Sequence, residues 1–143
     1  MKQSVIFVLL VAMLLPFSTY AEKIQVNIKG IRNLKGTIRI GVFKDNESFK
    51  LEAPFKTIEV TKRGLFKGSL NCTFDLPTGV FGLALLDDEN NNEVMDKSFF
   101  GIPEEGFGFS NYEHSGLFAP VFNDFKFFVK QGITKVKMKL KYM

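Results

Sequence analysis

Residues 87–96, Asp-Asp-Glu-Asn-Asn-Asn-Glu-Val-Met-Asp, pack carboxylates and side-chain amides into one short stretch. Asp88, Asn90, Asn92, Val94 and Asp96 fall at every second position. That spacing matches positions 1, 3, 5, 7 and 9 of a calcium loop, where position 7 offers its backbone carbonyl. Oxygen donors suit a hard cation, and Asn carbonyls add ligands without adding charge. Asp88 and Asp96 would be the anionic ligands, Asn90 and Asn92 the neutral ones. Two parts of the full motif are missing, because the sixth position is Glu93 instead of Gly and the twelfth is Phe99 instead of a bidentate Glu. Glu104 or Glu105 could supply that carboxylate only if the chain folds back. The competing reading is an Asx-rich hairpin tip whose side chains bond their own backbone.

Residues 101–111, Gly-Ile-Pro-Glu-Glu-Gly-Phe-Gly-Phe-Ser-Asn, form a second, glycine-punctuated aromatic stretch. Gly106 and Gly108 are expected to take positive φ. Phe107 and Phe109 are expected to point to opposite sides, one sealing the core and the other flooring a groove beside Glu105, Asn111 and His114. The glycines do not open a helix, so a phosphate-cradling loop does not fit. His114 is the only histidine. With Glu105 and an acidic-loop carboxylate it would make the acid–base set of a hydrolase, the alternative to a binding or structural module. Nothing resembles a nucleophile elbow or zinc-ligand spacing, so no catalytic residue is assigned and no organic cofactor is implied.

Lys135, Lys137, Lys139 and Lys141 alternate with Val136, Met138, Leu140 and Tyr142. One face of this strand enters a core and the other carries positive charge. It is either a solvated or protected edge, or a patch for anionic lipid or polysaccharide of the cell envelope, in keeping with a sequence pI near 9.2. Interleaved exposed aromatics for base stacking are lacking, and no nucleic-acid partner is expected.

The elements that must hold these residues are strands. Seventeen Phe, three Tyr and no Trp in 143 residues favour a pleated surface, and the length suits a single domain. Lys2, the apolar run 5–15, Pro16 and the small residues Thr19 and Ala21 read as a cleaved secretory signal over 1–21, too short in its apolar part to span a bilayer comfortably. The mature domain, 22–143, would then be periplasmic or secreted, with no transmembrane span and an envelope or extracellular partner. Cys72 is the only cysteine, so no intramolecular disulfide can form, and its strand context makes it a small core residue. Period-two patterning predicts strands over 23–29, 36–43, 55–61, 69–76, 80–86, 125–130 and 133–142. The run 80–86 is apolar on both faces and belongs in the middle of a sheet. No segment carries a sustained helical period, and 44–52 reads as loop. The expected fold is all-β: a single antiparallel β-sandwich of about seven strands, immunoglobulin- or transthyretin-like, with one long Phe- and Gly-rich loop over 98–122.

The run Asp88-Glu89-Asn90, Asn92 and Asp96, then Gly101-Ile102-Pro103, Glu105-Gly106, Gly108-Phe109-Ser110-Asn111, then Pro120, Phe122 and Asp124 resembles the bacterial domain-of-unknown-function family 2141. The resemblance spans essentially the whole mature chain. It implies an exported β-sandwich-like domain without an established activity. The family commonly has His where this chain has Asp87, and Gly where it has Asn91 or Glu93.

Overall fold

The computed structural model describes residues 20–143, so the expected leader lies outside the described residues apart from its last two. Alternation of apolar and polar residues produces β1 (Ala21–Lys29), β2 (Thr37–Phe43), β3 (Lys56–Thr61), β4 (Ser69–Pro77) and β5 (Gly79–Asp88). They are followed by β6 (Gly106–Phe109), β7 (Lys126–Val129) and β8 (Ile133–Lys139). Two short helices, α1 (Asn46–Lys50) and α2 (Phe122–Phe125), sit between strands. The expected all-β sandwich is what forms. The strand beyond the expected seven is β6, inside the segment read as one long loop.

One sheet has the order β4-β1-β8; the other runs β3-β2-β5-β6, with β7 also paired to β5. All pairings are antiparallel except β1 with β8, which is parallel. These strands lie at opposite ends of the chain, so no hairpin dictates their relative direction. Ile24, Val26 and Ile28 of β1, Ile38, Ile40 and Val42 of β2, Leu83 and Leu85 of β5, and Val136 and Met138 of β8 fill the space between the sheets.

A second apolar layer lies on the other side of the larger sheet. There Phe43, Phe107 and Phe109 pack with Phe122 and Phe125 of α2, Phe49 of α1 and Ala84. The strand β5 is therefore covered on both faces, as its unbroken apolar run demands. Helix α1 starts at Asp45, whose side chain accepts from the Ser48 amide at 2.7 Å. A helix this short leaves no periodic trace, which is why 44–52 reads as loop. The two helices are tied together by Asn46, whose Oδ1 accepts from Phe122 N at 3.1 Å.

Strand β6 joins the two sheets along one side. The Phe107 N–H donates to Lys141 O at 3.0 Å and the Lys141 N–H returns to Phe107 O at 2.8 Å. Asn111 continues the seam, its N–H donating to Lys137 O and its Oδ1 accepting from Lys137 N. The close approach explains the glycines, and it corrects the expectation of positive φ at Gly106 and Gly108, neither of which takes it. A Cβ on Gly106 would lie 2.4 Å from the Tyr142 ring, and one on Gly108 would lie 2.6 Å from the Lys139 carbonyl oxygen. Gly108→Ala must push backbone aside and should cost about 1–3 kcal/mol, read as a lower urea midpoint. An unchanged midpoint would mean the seam between β6 and β8 is looser than described.

Candidate functional site

Phe107 and Phe109 do not point to opposite sides, because they are two residues apart in a strand and so share a face. Their ring centroids are 6.1 Å apart, and both stand on the outer face of the five-stranded sheet. With Phe43, Ala84 and Phe49 they floor an open cleft of about 690 Å³. Val94, Met95, Lys97, Gly101 and Pro103 form one wall, and His114, Leu117 and Ala119 another. His114 packs over the floor at 5.7 Å from the Phe107 ring and 5.9 Å from Phe109. Its Nδ1 is buried without a hydrogen-bond partner among the described residues. Arg39, at the cleft's edge, is held by Glu59 at 3.0 Å and Glu93 at 3.5 Å.

The acidic loop is folded around its own side chains. Asp88 is fully buried and accepts from the Asn92 and Glu93 amides at 3.0 and 2.9 Å. The Asn90 and Asn92 side-chain amides converge on the Asp96 carboxylate. Asn90 Oδ1 and Asn92 Oδ1 accept from the amides two residues on, at Asn92 and Val94. Asn91 and Glu93 have φ of 57° and 68°, in the left-handed region that favours glycine. The chain does fold back: Glu105 is buried and accepts from the amides of Glu89 at 3.0 Å and Asp96 at 3.3 Å. Burial, reinforced by the nearby Asp96 and Asp88 charges, raises the Glu105 pKa against those hydrogen bonds. Among the described residues no three His, Cys, Asp or Glu side chains gather as an ion-holding group, so an ion here would depend on the Asn carbonyl oxygens.

Next to Asp88, Asp87 points the other way, into the sandwich. It is fully buried, as is the Lys62 ammonium that meets its Oδ1 at 2.5 Å. That contact is an ion pair and not a well-aligned hydrogen bond, since Oδ1 has no partner by hydrogen-bond geometry. The Tyr142 hydroxyl donates to Asp87 Oδ2 at 2.6 Å, and burial together with that bond pushes the phenol's pKa well up. Lys62 also donates to the Lys35 carbonyl. Arg32 lies over the Tyr142 ring at 4.3 Å and grips Glu89 through two bonds of 2.6 and 3.0 Å, holding the Glu89 carboxyl below its usual range. Lys62 was not singled out by sequence, because it stands in a Lys-Arg-Gly turn that looks solvated.

The remaining sequence candidates separate. Asn111 serves the β6–β8 seam. No hydrogen bond joins Glu105 to His114; the former turns to the acidic loop and the latter to the rings. Lys135, Lys137 and Lys139 are exposed on β8, while Lys139 meets Glu113 at 3.1 Å and Lys141 reaches the Gly116 carbonyl at 3.5 Å. Cys72 is half-buried, and burial raises its thiol to about 11, the opposite of a reactive cysteine. No helix among the described residues is long and apolar enough to cross a membrane.

Two packed sheets, an aromatic cleft on an outer face and an acidic loop at its wall define a β-sandwich domain. The chain belongs to the family described as an uncharacterized protein conserved in bacteria, DUF2141, whose model matches residues 26–137. No curated protein and no solved structure matches it.

Removing Lys62 strands a buried carboxylate, so Lys62→Met should cost about 3–5 kcal/mol, whereas Tyr142→Phe deletes the bond to Asp87 and the longer one accepted from the Arg32 amide for about 1–3 kcal/mol. Urea unfolding checks the order, and a mild Lys62→Met would contradict it. Glu105 makes a pH prediction. A carboxyl whose folded pKa is raised binds its proton more tightly when folded, so its contribution to stability falls as pH rises through its titration. The stability of the wild type minus that of Glu105→Gln should therefore be smaller at about pH 7 than at about pH 4. A difference that grows with pH would reverse the sign of the shift.

Proposed function

We propose that this chain is an exported binding module whose ligand site is the cleft on the outer face of the five-stranded sheet. One observation carries this reading. An outer sandwich face ordinarily alternates toward polar residues that meet water, yet here it bears Phe43, Phe107 and Phe109, which are 7–8% exposed and packed against α1 and α2. The cleft between two loops opens onto them and onto the less covered Phe49, Ala84 and Met95. Its volume of about 690 Å³ falls within the roughly 300–1,000 Å³ of small-molecule sites. Export rests on the leader-like residues 1–21 and places the ligand in the periplasm or outside the cell. The hydrolase alternative finds no support in the placement of Glu105 and His114.

A second proposal concerns the acidic loop, which we take to be ordered by calcium through Asp88, Asn90, Asn92, the Val94 carbonyl and Asp96. It is favoured by the positive φ of Glu93 at the sixth position, where a calcium loop makes its sharp turn. The Asn90 and Asn92 Nδ2 groups, which donate to Asp96 while their Oδ1 atoms accept from backbone amides, would have to turn their oxygens to the ion. The fit has a cost, since Asp88 must share oxygens already given to backbone amides.

An environment-sensitive dye such as anilinonaphthalene sulfonate should bind the protein at one saturable site and lose that site in Met95→Glu, which puts a charge in the cleft wall. Undiminished binding by the variant would place the site elsewhere. For the loop, calcium at 100 times its dissociation constant should stabilise the fold by about 2.7 kcal/mol, and Asp88→Ala should lose most of that gain. A thermal midpoint equal in calcium and in chelator would leave the loop a self-bonded Asx turn.

A further inference from the structure

Resting on the cleft as the binding site, we propose that its ligand is an acidic amphiphile, with an extended apolar body along the partly exposed Phe49, Ala84, Met95 and Leu117 and one anionic end group facing Lys97. The floor supplies apolar area with little to hydrogen-bond: His114 is the one imidazole over it, and its Nδ1 is buried among rings. The loops that supply the walls carry further exposed apolar residues: Phe99 and Phe100, between the lining Lys97 and Gly101, are 98% and 83% exposed, and Leu117, which lines the cleft, and its neighbour Phe118 are 78% and 88% exposed. Uncovered apolar surface of this extent marks an interaction site. A compact ring held in the cleft would leave these loops bare, whereas an extended chain leaving it along them would cover them.

Charge decides the end group. Arg39 is already neutralised by Glu59 and Glu93. Lys97 lines the cleft, is exposed, and forms no ion pair among the described residues. Its backbone is bridged to Pro103, which fixes the ammonium's point of attachment on that wall. Glu52, also without an ion pair among the described residues, lines the cleft just beyond α1. Glu52 repels an acid at that end. On the opposite wall Glu93 is paired with Arg39 and the Asp96 carboxylate is bonded by the Asn90 and Asn92 amides, which leaves Lys97 as the cleft-lining cation without an ion pair among the described residues. An ammonium–carboxylate contact at the mouth of an apolar cleft is less screened than one on open surface, and it distinguishes an acid from an alcohol of equal length.

The test is displacement of cis-parinaric acid, a polyene whose fluorescence rises in apolar surroundings. Hexadecanoate, hexadecanol and hexadecylamine serve as competitors below their aggregation concentrations. Hexadecanoate should displace the probe about ten-fold better than hexadecanol, and hexadecylamine least well. Lys97→Glu, on an exposed loop, should remove the acid's advantage over hexadecanol, and Lys97→Arg should keep it. Equal displacement by acid and alcohol, or an advantage that survives Lys97→Glu, overturns the acidic end group and leaves the cleft standing. Probe binding that persists unchanged in Met95→Glu, or no saturable binding at all, overturns the cleft reading as well.

Discussion

The contact on which the rest of this sandwich depends is the buried ion pair of Lys62 with Asp87, completed by the Tyr142 hydroxyl. It draws together the turn after β3, the end of β5 and the C-terminal segment. Through the Lys35 carbonyl it also reaches the turn between β1 and β2. A buried pair adds little net stability over a well-packed apolar substitute. Its effect here is on register. A slip of one residue in β5 would turn every side chain to the opposite face. Asp87 would leave its cation, and Asp88 would leave the amides of Asn92 and Glu93. Adjacent carboxylates with partners on opposite faces thus pin β5 from both sides.

Pinning β5 determines the cleft. Strand β6 pairs with it from Ala84 to Asp87, so Phe107 and Phe109 follow Ala84 onto the outer face. Ser110, fully buried, accepts from Leu83 N at 2.9 Å and donates to the Phe125 carbonyl at 2.6 Å, fastening α2 over the same face. The acidic loop leaves β5 directly after Asp88 and returns through Glu105 into β6, with the Glu105 carboxylate clasping the Glu89 and Asp96 amides. One cleft wall is therefore built from the loop that β5 and β6 hold at both ends, which is why order in the acidic loop and shape in the cleft are coupled.

Period-two patterning made most strands legible, and the two-faced apolar run of β5 correctly placed that strand inside a sheet. What patterning lacked was partners. Gly-Phe-Gly-Phe in β6 reads as loop chemistry until Tyr142 and the Lys139 carbonyl are seen against the glycines; the glycines serve close approach, not turning. Lys62 looks like a surface residue because its partner lies 25 positions away and belongs to another sheet strand. The alternation of Asp88, Asn90, Asn92 and Asp96 was visible, but their spacing is shared by an ion loop and an Asx turn, and the difference is one of ligand occupancy. The cleft itself is assembled from β2, β5, β6, α1 and two loops, so no single stretch could announce it.

The central claim is that the outer face of the five-stranded sheet takes a ligand, and side-chain methyl NMR tests it most directly. With methionine and alanine methyls labelled and hexadecanoate added, the resonances of Met95 and Ala84 in the cleft should shift saturably. Met138, enclosed between the sheets, should not move. Shifts confined to residues outside the cleft, or an unchanged spectrum at saturating amphiphile, would contradict the account.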